Sequence, residues 1–148
     1  MTRDAIVRQL NEWSPPVWRS MRAVVVDVFG PNLGDEETGA RMSYTIGKNL
    51  CHTDIIVQGG VVGAMLDSTM TCALFGHFLA FDPPRRVQPA SLELKTNFLR
   101  VANNGPFDSR SRVRRLGRTV AFQEGELYQN DVLVATASMT SQLLFPEE

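Results

Sequence analysis

The stretch that decides the fold is residues 59–80, which read GGVVGAMLDSTMTCALFGHFLA. It is too long for an ordinary strand and contains no proline, so we predict a helix. A helix that is apolar on all sides is either buried in a core or spans a membrane. The large apolar side chains here do go around most of the helix: Val61, Val62, Met65, Leu66, Met70, Leu74, Phe75, Phe78 and Leu79.

A membrane span is the first interpretation of this helix, because about 20 apolar residues are enough to cross a bilayer. Asp67 argues against it, since a carboxylate near the bilayer centre costs ~3 kcal/mol on insertion scales. Ser68, Thr71 and His77 add further polarity. We therefore predict a helix wrapped by its own sheet, in a protein that does not bind or cross a membrane.

Asp67 is the informative residue of this helix, because a buried carboxylate is costly unless it is paired or usefully placed. In one interpretation it is an N-cap, the helix starts there, and residues 59–66 form a strand. In the other it is a catalytic carboxylate in a cleft, where burial raises its pKa. Gly59 and Gly60 would then lie at the helix N-terminus, where free N–H groups and the helix dipole can polarise a carbonyl. A plain turn is the alternative role of these two glycines.

The flanking sequence predicts a helical arm followed by strands on both sides of the helix. The arm covers residues 1–21, with Thr2 as N-cap and Pro15 ending its first helix. Apolar patterns predict strands over residues 22–29, 40–46, 87–101, 107–124 and 132–145, the fourth interrupted at Leu116-Gly117 and ended by Gly125. The prediction is one α+β domain, residues 1–148, with an antiparallel sheet of about five to six strands wrapped around a long helix.

Composition and charge exclude several classes of protein. The 148 residues carry 15 Lys and Arg against 16 Asp and Glu, a net charge of -1, which argues against a nucleic-acid partner held by bulk positive charge. Two His and two Cys, with no CxxC and no HExxH, make a metal site improbable, and we expect no metal and no cofactor. The charged first residues lack the apolar core of a signal peptide, so we expect a cytoplasmic protein.

One spaced motif resembles a known family. His52, five residues, Gln58-Gly59-Gly60, six residues and Asp67 resemble the signature of hotdog-fold acyl-CoA thioesterases, a family that includes 4-hydroxybenzoyl-CoA thioesterase-like enzymes. The most similar subgroup is the phenylacetate-pathway (PaaI-type) thioesterases, and the resemblance covers roughly residues 23–144. The order of elements is similar to the hotdog order, a long helix cradled by an antiparallel sheet. The family has His where this chain has Gln58, and Asn where it has His52.

The resemblance implies roles for particular residues. Asp67 matches the catalytic carboxylate, acting as nucleophile or general base, and Gly59 matches the glycine whose N–H polarises the thioester carbonyl. Thr71 matches a hydroxyl that positions the attacking water, and Ser91 a hydroxyl that assists hydrolysis. Gln58 can still donate and accept hydrogen bonds but cannot act as a general acid, whereas a histidine such as the one at position 52 can.

The spacing of two of these residues has a geometric consequence. Gly59 and Asp67 are eight residues apart, which is ~12 Å on a helix. A thioester carbon cannot lie ~3–3.5 Å from both groups of one helix. If both act, Asp67 must approach the Gly59 end of a second chain, so we predict a dimer with two shared sites. The resemblance also implies self-association, as dimers or as dimers of dimers.

Arginines concentrate between residues 100 and 118. Arg110, Arg112 and Arg114 fall on one face of a strand, where they could bind the phosphates of coenzyme A. The alternative is a solvated outer face with ion pairs. In the family, a Gly-Arg step on this strand, here Gly117-Arg118, lies near the coenzyme A entrance. The first choices for contacts to the coenzyme A part of the substrate are therefore Gly60, Arg115, Gly117 and Arg118.

These patterns fit two functions and argue against a third. The first is hydrolysis of an aryl- or medium-chain acyl-CoA, with Asp67 as carboxylate and the Gly59 N–H as oxyanion donor. The second is a non-catalytic module that binds acyl-CoA on the same fold, for which Gln58 and His52 leave room. The third, a hydratase or dehydratase, pairs a histidine with a carboxylate in a different arrangement that His52 and His77 do not supply.

Overall fold

A computed structural model describes residues 1–146 of the chain. Two helices precede the sheet, one long helix lies between its second and third strands, and three more strands complete the chain. In order, the elements are α1 (Arg3–Trp13), α2 (Pro16–Ser20), β1 (Val24–Phe29), β2 (Gly39–Ile46), α3 (Gly59–Leu79), β3 (Gln88–Phe98), β4 (Gly105–Leu116), β5 (Val120–Gln129) and β6 (Val132–Leu144).

The six strands form one antiparallel sheet in the order β1-β2-β4-β5-β6-β3. Helix α3 packs against every strand of this sheet, which confirms the predicted α+β architecture. Because α3 starts at Gly59, the alternative in which residues 59–66 form a strand and Asp67 is the N-cap of a helix that starts there is wrong. The helix is long and apolar enough to cross a membrane, but 67 % of its most apolar window is buried inside the fold.

The segment 107–124 was predicted as one interrupted strand, and the structure corrects this. It contains most of β4, a hairpin turn at 117–119 and the start of β5. The Gly117 N–H donates to the Val120 carbonyl oxygen across the turn, at 2.8 Å. Gly125 does not end the strand but lies inside β5, where a Cβ would be 3.2 Å from Leu66 Cδ2. A glycine is present there because α3 approaches the sheet closely.

Alternation in β2 predicts its buried face, and one buried side chain fixes α3 to it. Met42, Tyr44 and Ile46 are all fully buried. The Tyr44 hydroxyl lies 2.8 Å from the carbonyl oxygen of Met65 and 2.7 Å from Thr69 Oγ1. Burial raises the pKa of Tyr44, so the phenol stays protonated and remains a hydrogen-bond donor to the helix.

The N-terminal arm packs at the outer end of the sheet. As predicted, Thr2 caps α1 by accepting a hydrogen bond from the Ala5 N–H at 3.2 Å. Ile6 and Leu10 are buried, which attaches the arm to the core. Trp13, at the end of α1, is 52 % exposed and makes an edge contact with Phe75 of α3, with 5.2 Å between ring centroids.

Candidate active site

Asp67, Thr71 and Ser91 come together at the middle of α3. Asp67 is half-buried on the helix, and Ser91 Oγ on β3 donates to its Oδ1 at 3.1 Å. Thr71, one turn further along α3, also hydrogen-bonds to the Asp67 carboxylate. Burial raises the pKa of Asp67, and the hydrogen bonds from Ser91 and Thr71 partly oppose that rise. The arrangement holds a carboxylate in place and makes it a stronger base than an exposed one.

Asp67 lies on the one stripe of α3 that the sheet does not cover. Gly60, Ala64, Asp67, Thr71 and Phe75 are spaced by three or four residues and therefore share one face. All five are exposed or half-buried, whereas most of the helix is fully buried. A substrate can therefore approach the carboxylate along this open stripe of α3, which is defined by these five residues.

The N-terminus of α3 presents free backbone donors. Gln58 occupies the N-cap position, and its side chain makes no capping hydrogen bond within the described chain. The N–H groups of Gly59 and Gly60 have no acceptor among residues 1–146, as expected for the first turn of a helix. The Phe98 ring lies 3.5 Å from where a Gly59 Cβ would be, whereas a Cβ on Gly60 would meet nothing in the described structure within 4 Å. These donors can bind a developing negative charge.

His52 lies in an exposed bend just before α3. Its backbone N–H donates to the Ile56 carbonyl oxygen at 3.1 Å, and its side chain is exposed. His52 and Gln58 therefore belong to the Gly59 end of the helix. Asp67 lies eight residues further along α3, or ~12 Å along the axis. Within one chain the residues singled out on α3 and the loop before it form two separate groups, one at each of these positions.

The arginines of β4 and of the hairpin after it fall into two sets, apart from Arg110, whose guanidinium lies 5.5 Å from the centroid of the Phe29 ring. Arg112 pairs with Glu37 at 3.2 Å and with Glu124 at 3.4 Å, and Arg114 lies 3.7 Å from Glu124. The alternative of an ion-paired outer face is thus confirmed for these two residues. Salt bridges this exposed contribute little to stability.

The second set lies at the β4–β5 hairpin, away from the Asp67 cluster. Arg115 is opposite Phe122, an exposed residue, so Arg115 belongs to the sheet face directed away from α3. Gly117 is in the turn itself, where a Cβ would lie 3.0 Å from the Val120 carbonyl oxygen. Arg118 follows it and is exposed. Within one chain these residues are not brought to Asp67.

The second histidine, His77, has a packing role. It makes edge contacts with Phe78 and Phe81, at 4.9 and 5.3 Å between ring centroids. Burial lowers the pKa of His77 and favours the neutral ring. It lies ten residues beyond Asp67 on the same helix, too far away for hydrogen bonding.

Sequence reasoning missed two features near the Asp67 cluster. The first is a cavity between α1 and the second half of α3, beside Trp13 and Phe75. The spacing of Phe75 from Asp67 and Thr71 was the signal for it. The second is a pair of buried polar side chains on the inner sheet face, Gln123 and Ser141, whose polar atoms have no partner in residues 1–146. Ser141 is directly opposite Ser91 in the β3–β6 pair, but a single strand sequence carries no sign of that register.

The chain is similar to several known proteins in sequence and fold. The family profile for the acyl-CoA thioesterase N-terminal domain matches residues 49–142. A structure of a candidate thioesterase from Ralstonia eutropha JMP134, named as related to phenylacetic acid degradation, superposes with a TM-score of 0.77 at 29 % identity. That match covers 93 % of this chain and 98 % of the other. A conserved protein from Pseudomonas aeruginosa gives a TM-score of 0.71 at 27 % identity, covering 88 % and 94 %.

One sequence relative and one further structure are also similar to this chain. A candidate esterase from Thermoplasma volcanium is 29 % identical over 97 residues, which is 66 % of this chain and 68 % of the relative. The PaaI protein of the phenylacetic acid degradation operon of E. coli shares the fold, with a TM-score of 0.75 at 14 % identity and coverage of 93 % and 91 %.

The chain belongs to the acyl-CoA thioesterase family. It is a hotdog-fold, PaaI-type thioesterase and, as an enzyme, a thioester hydrolase. The matched region begins just before His52 and includes all of α3, Ser91 and Arg118, but leaves out the N-terminal arm. The resemblance seen in the spaced motif is therefore confirmed.

Proposed function

We propose that this enzyme hydrolyses the thioester of an aryl- or medium-chain acyl-CoA, with Asp67 as its catalytic carboxylate. One observation carries the proposal. Asp67 is the only carboxylate of α3, it opens onto the uncovered stripe of that helix, and Ser91 and Thr71 hold it there. A carboxylate with a raised pKa is a better base than an ordinary aspartate at neutral pH.

Two routes use the same groups. Asp67 can take a proton from water as the water oxygen attacks the thioester carbon, or its own oxygen can attack and form an anhydride that water then cleaves. In both routes a C–O bond replaces the C–S bond, and coenzyme A leaves as the thiol after gaining a proton. Thr71 orients the water and Ser91 orients the carboxylate, since both already hydrogen-bond to it. The reaction requires no metal and no cofactor.

The oxyanion donor in this proposal is the Gly59 N–H of the partner subunit. The ~12 Å between Gly59 and Asp67 within one helix rules out a site built from one chain. Two protomers placed with their α3 helices antiparallel bring each Asp67 to the other's helix N-terminus. The partner's Gln58 and His52 would then lie beside the thioester carbonyl.

The free edge of the sheet supports self-association. Strand β3 pairs with β6 on one side only, and an unpaired apolar edge tends to add another strand. Large apolar residues on β3 and in the segments near it are exposed: Ile55, Leu92, Leu94, Phe98, Leu99 and Val101. Exposed apolar residues at an unpaired sheet edge favour contact with another chain, so we propose a dimer joined along this edge, alone or paired into a tetramer.

The coenzyme A part of the substrate is proposed to contact Gly60, Arg115, Gly117 and Arg118. The open space at Gly60 admits a chain such as pantetheine close to the backbone. The exposed guanidinium groups at positions 115 and 118 suit phosphate. The two cysteines form no disulfide, which fits the cytoplasmic location that we propose.

Release of free thiol from a panel of acyl-CoAs tests this function. Asp67→Asn is expected to lower kcat by ~100- to 10,000-fold, the usual worth of a positioned acid or base. Asp108→Asn, which alters an exposed carboxylate on β4, is the matched control and is expected to keep full activity. Retention of activity in Asp67→Asn would overturn the proposal. Binding without thiol release would favour a ligand-binding module, and loss of a double-bond absorbance without thiol would favour a hydratase.

A further inference from the structure

A cavity of about 320 Å³ lies where the N-terminal arm meets the second half of α3. Its walls are mostly apolar: Leu10 and Trp13 from α1, Phe75 and Leu79 from α3, and Val87 just before β3. This volume is at the lower end of that of small-molecule sites. Unlike the hairpin arginines, the cavity is continuous with the open stripe of α3, because Phe75 belongs to both.

The distance from the Asp67 cluster to this cavity can be estimated in two independent ways. Along α3, Phe75 lies eight residues beyond Asp67, or ~12 Å. Along β3 and the residue before it, Val87 lies four residues from Ser91, or ~13 Å. Because Ser91 touches Asp67 and Val87 lines the cavity beside Phe75, helix and strand run alongside each other over this distance. An acyl chain that lay along them would run from the carboxylate to the cavity.

We propose that this cavity receives the distal end of the acyl group, so that the N-terminal arm sets the acyl length that the enzyme prefers. The inference depends on the proposed role of Asp67, since the acyl chain is measured from the carbon attacked there. A span of ~12 Å corresponds to an extended chain of about ten carbons, at ~1.25 Å per bond along the chain. Apolar acyl chains of that length would reach Trp13, and short ones would not.

Trp13 is the residue best placed to discriminate. It is 52 % exposed although it is a large aromatic side chain, and its ring meets Phe75 edge-on at 5.2 Å between centroids. An acyl chain in the cavity would cover part of this exposed ring. The remaining lining residues are polar, so only part of the cavity wall is apolar: Gln9, Arg85 and Arg86. The Arg85 guanidinium lies over the Phe145 ring, 4.2 Å from its centroid.

A chain-length series measures this directly. kcat/KM for straight-chain acyl-CoAs is expected to rise by up to about fourfold per methylene once the chain is long enough to reach the cavity, at about ten carbons. Trp13→Ala is expected to lower kcat/KM for decanoyl-CoA by roughly tenfold and to change that for butyryl-CoA by less than about twofold. Val17→Ala removes another exposed apolar side chain of the arm, outside the cavity, and is the matched control.

Measurements of binding affinity test this inference independently of the catalytic proposal, because they do not require hydrolysis. S-decyl-CoA and S-butyl-CoA, thioethers that cannot be hydrolysed, are titrated calorimetrically into the wild type and into Trp13→Ala. The wild type is expected to bind the decyl compound more tightly, and Trp13→Ala to lose most of that preference. Gln9→Phe, which narrows the cavity from an exposed position on α1, is a second variant that adds bulk and leaves Trp13 in place. This variant is expected to weaken the binding of S-decyl-CoA and to leave the binding of S-butyl-CoA unchanged.

Equal loss for short and long chains, or equal affinity for both thioethers in the wild type, would overturn the inference. Equal loss would also indicate that the cavity holds part of coenzyme A, which every substrate shares. These results leave the role of Asp67 intact if Asp67→Asn still abolishes hydrolysis. The opposite outcome is also distinguishable. If the preference for S-decyl-CoA depends on Trp13 but Asp67→Asn remains active, the cavity assignment is supported and the catalytic role of Asp67 is refuted.

Discussion

Two inactive variants of this enzyme are expected to restore each other's activity when their subunits are mixed. Gly59→Pro removes the N–H proposed to bind the oxyanion, and Asp67→Asn removes the catalytic carboxylate. Both residues lie on α3, ~12 Å apart along its axis, whereas the thioester must be within ~3–3.5 Å of each group. In the proposed dimer, each site would therefore take one group from each protomer.

Gly59→Pro deletes the donor with little other change. Gly59 is the first residue of α3, where proline is tolerated because the N–H has no intrahelical acceptor. Gln58 has φ -56° and ψ 134°, the extended conformation that a residue before proline prefers. Gly59→Ala is the matched control, since it keeps the N–H and places its Cβ in ordinary contact, 3.5 Å from the Phe98 ring.

The expected magnitudes follow from this geometry. Loss of one oxyanion donor lowers kcat by ~100- to 1,000-fold, so each homodimeric variant is nearly inactive. After random exchange about half of the dimers are hybrids, and in each hybrid one site carries both substitutions and the other carries neither. About a quarter of all sites are then intact, and the mixture regains about a quarter of the wild-type activity.

The assay is thiol release from an acyl-CoA, run on hybrids isolated with a different affinity tag on each subunit. Purified hybrids are expected to show about half of the wild-type activity, because one of their two sites is complete. Hybrids no more active than either parent would refute the reasoning, since the two groups would then not act across an interface. A fully active monomer would do the same.

Three further predictions concern the core and the site. Gly125→Ala should lower the free energy of unfolding by about 1 kcal/mol, because overpacking against Leu66 costs ~1–3 kcal/mol and the gain from reduced chain entropy is only ~0.4–1 kcal/mol. Tyr44→Phe should lower it by ~1–2 kcal/mol, through loss of the hydroxyl's two contacts on α3; urea denaturation measures both. Ser91→Ala removes a hydrogen bond that lowers the pKa of Asp67. In the proposed mechanism, activity requires the ionised carboxylate and is lost as pH falls through that pKa, so the acid limb of the kcat/KM profile should move to higher pH.

Each of these has a control on the same chain. Gly60→Ala, where a Cβ would meet no atom of residues 1–146 within 4 Å, should not lower the free energy of unfolding. Tyr128→Phe, which alters a phenol close to the surface, should change it by less than ~0.5 kcal/mol. Unchanged stability in Gly125→Ala or Tyr44→Phe would contradict the packing described above. An acid limb that stays in place in Ser91→Ala would show that another group controls it.

The sequence was most informative where the pattern is local. An apolar surface on all sides of residues 59–79 leaves a buried helix as the reasonable outcome, and α3 covers that stretch. Alternation likewise assigns the inner face of β2 without any knowledge of its partners. Asp67 was found because a single carboxylate in such a helix requires a reason to be there.

The errors lie where an element's role depends on its neighbours. The sequence alone does not distinguish three roles of a glycine: ending a strand, forming a hairpin turn, or allowing a helix to pack closely against the sheet. Gly117 closes a turn by bonding to Val120, and Gly125 makes room for Leu66. The pairing of Arg112 with Glu37 joins residues 75 positions apart, so no local pattern reports it.

By itself, the sequence determined the secondary-structure elements, the central helix, the candidate carboxylate Asp67 and the family. It could do so because periodicity and spaced motifs are contained in short, contiguous segments of the chain. Only the tertiary structure decided what surrounds that carboxylate. The register of β3 along α3 places Ser91 on Asp67 and Val87 beside Phe75, and the docking of the arm brings Trp13 against Phe75. Register and docking result from the packing of the whole sheet around one helix, so they exist only once distant segments have met.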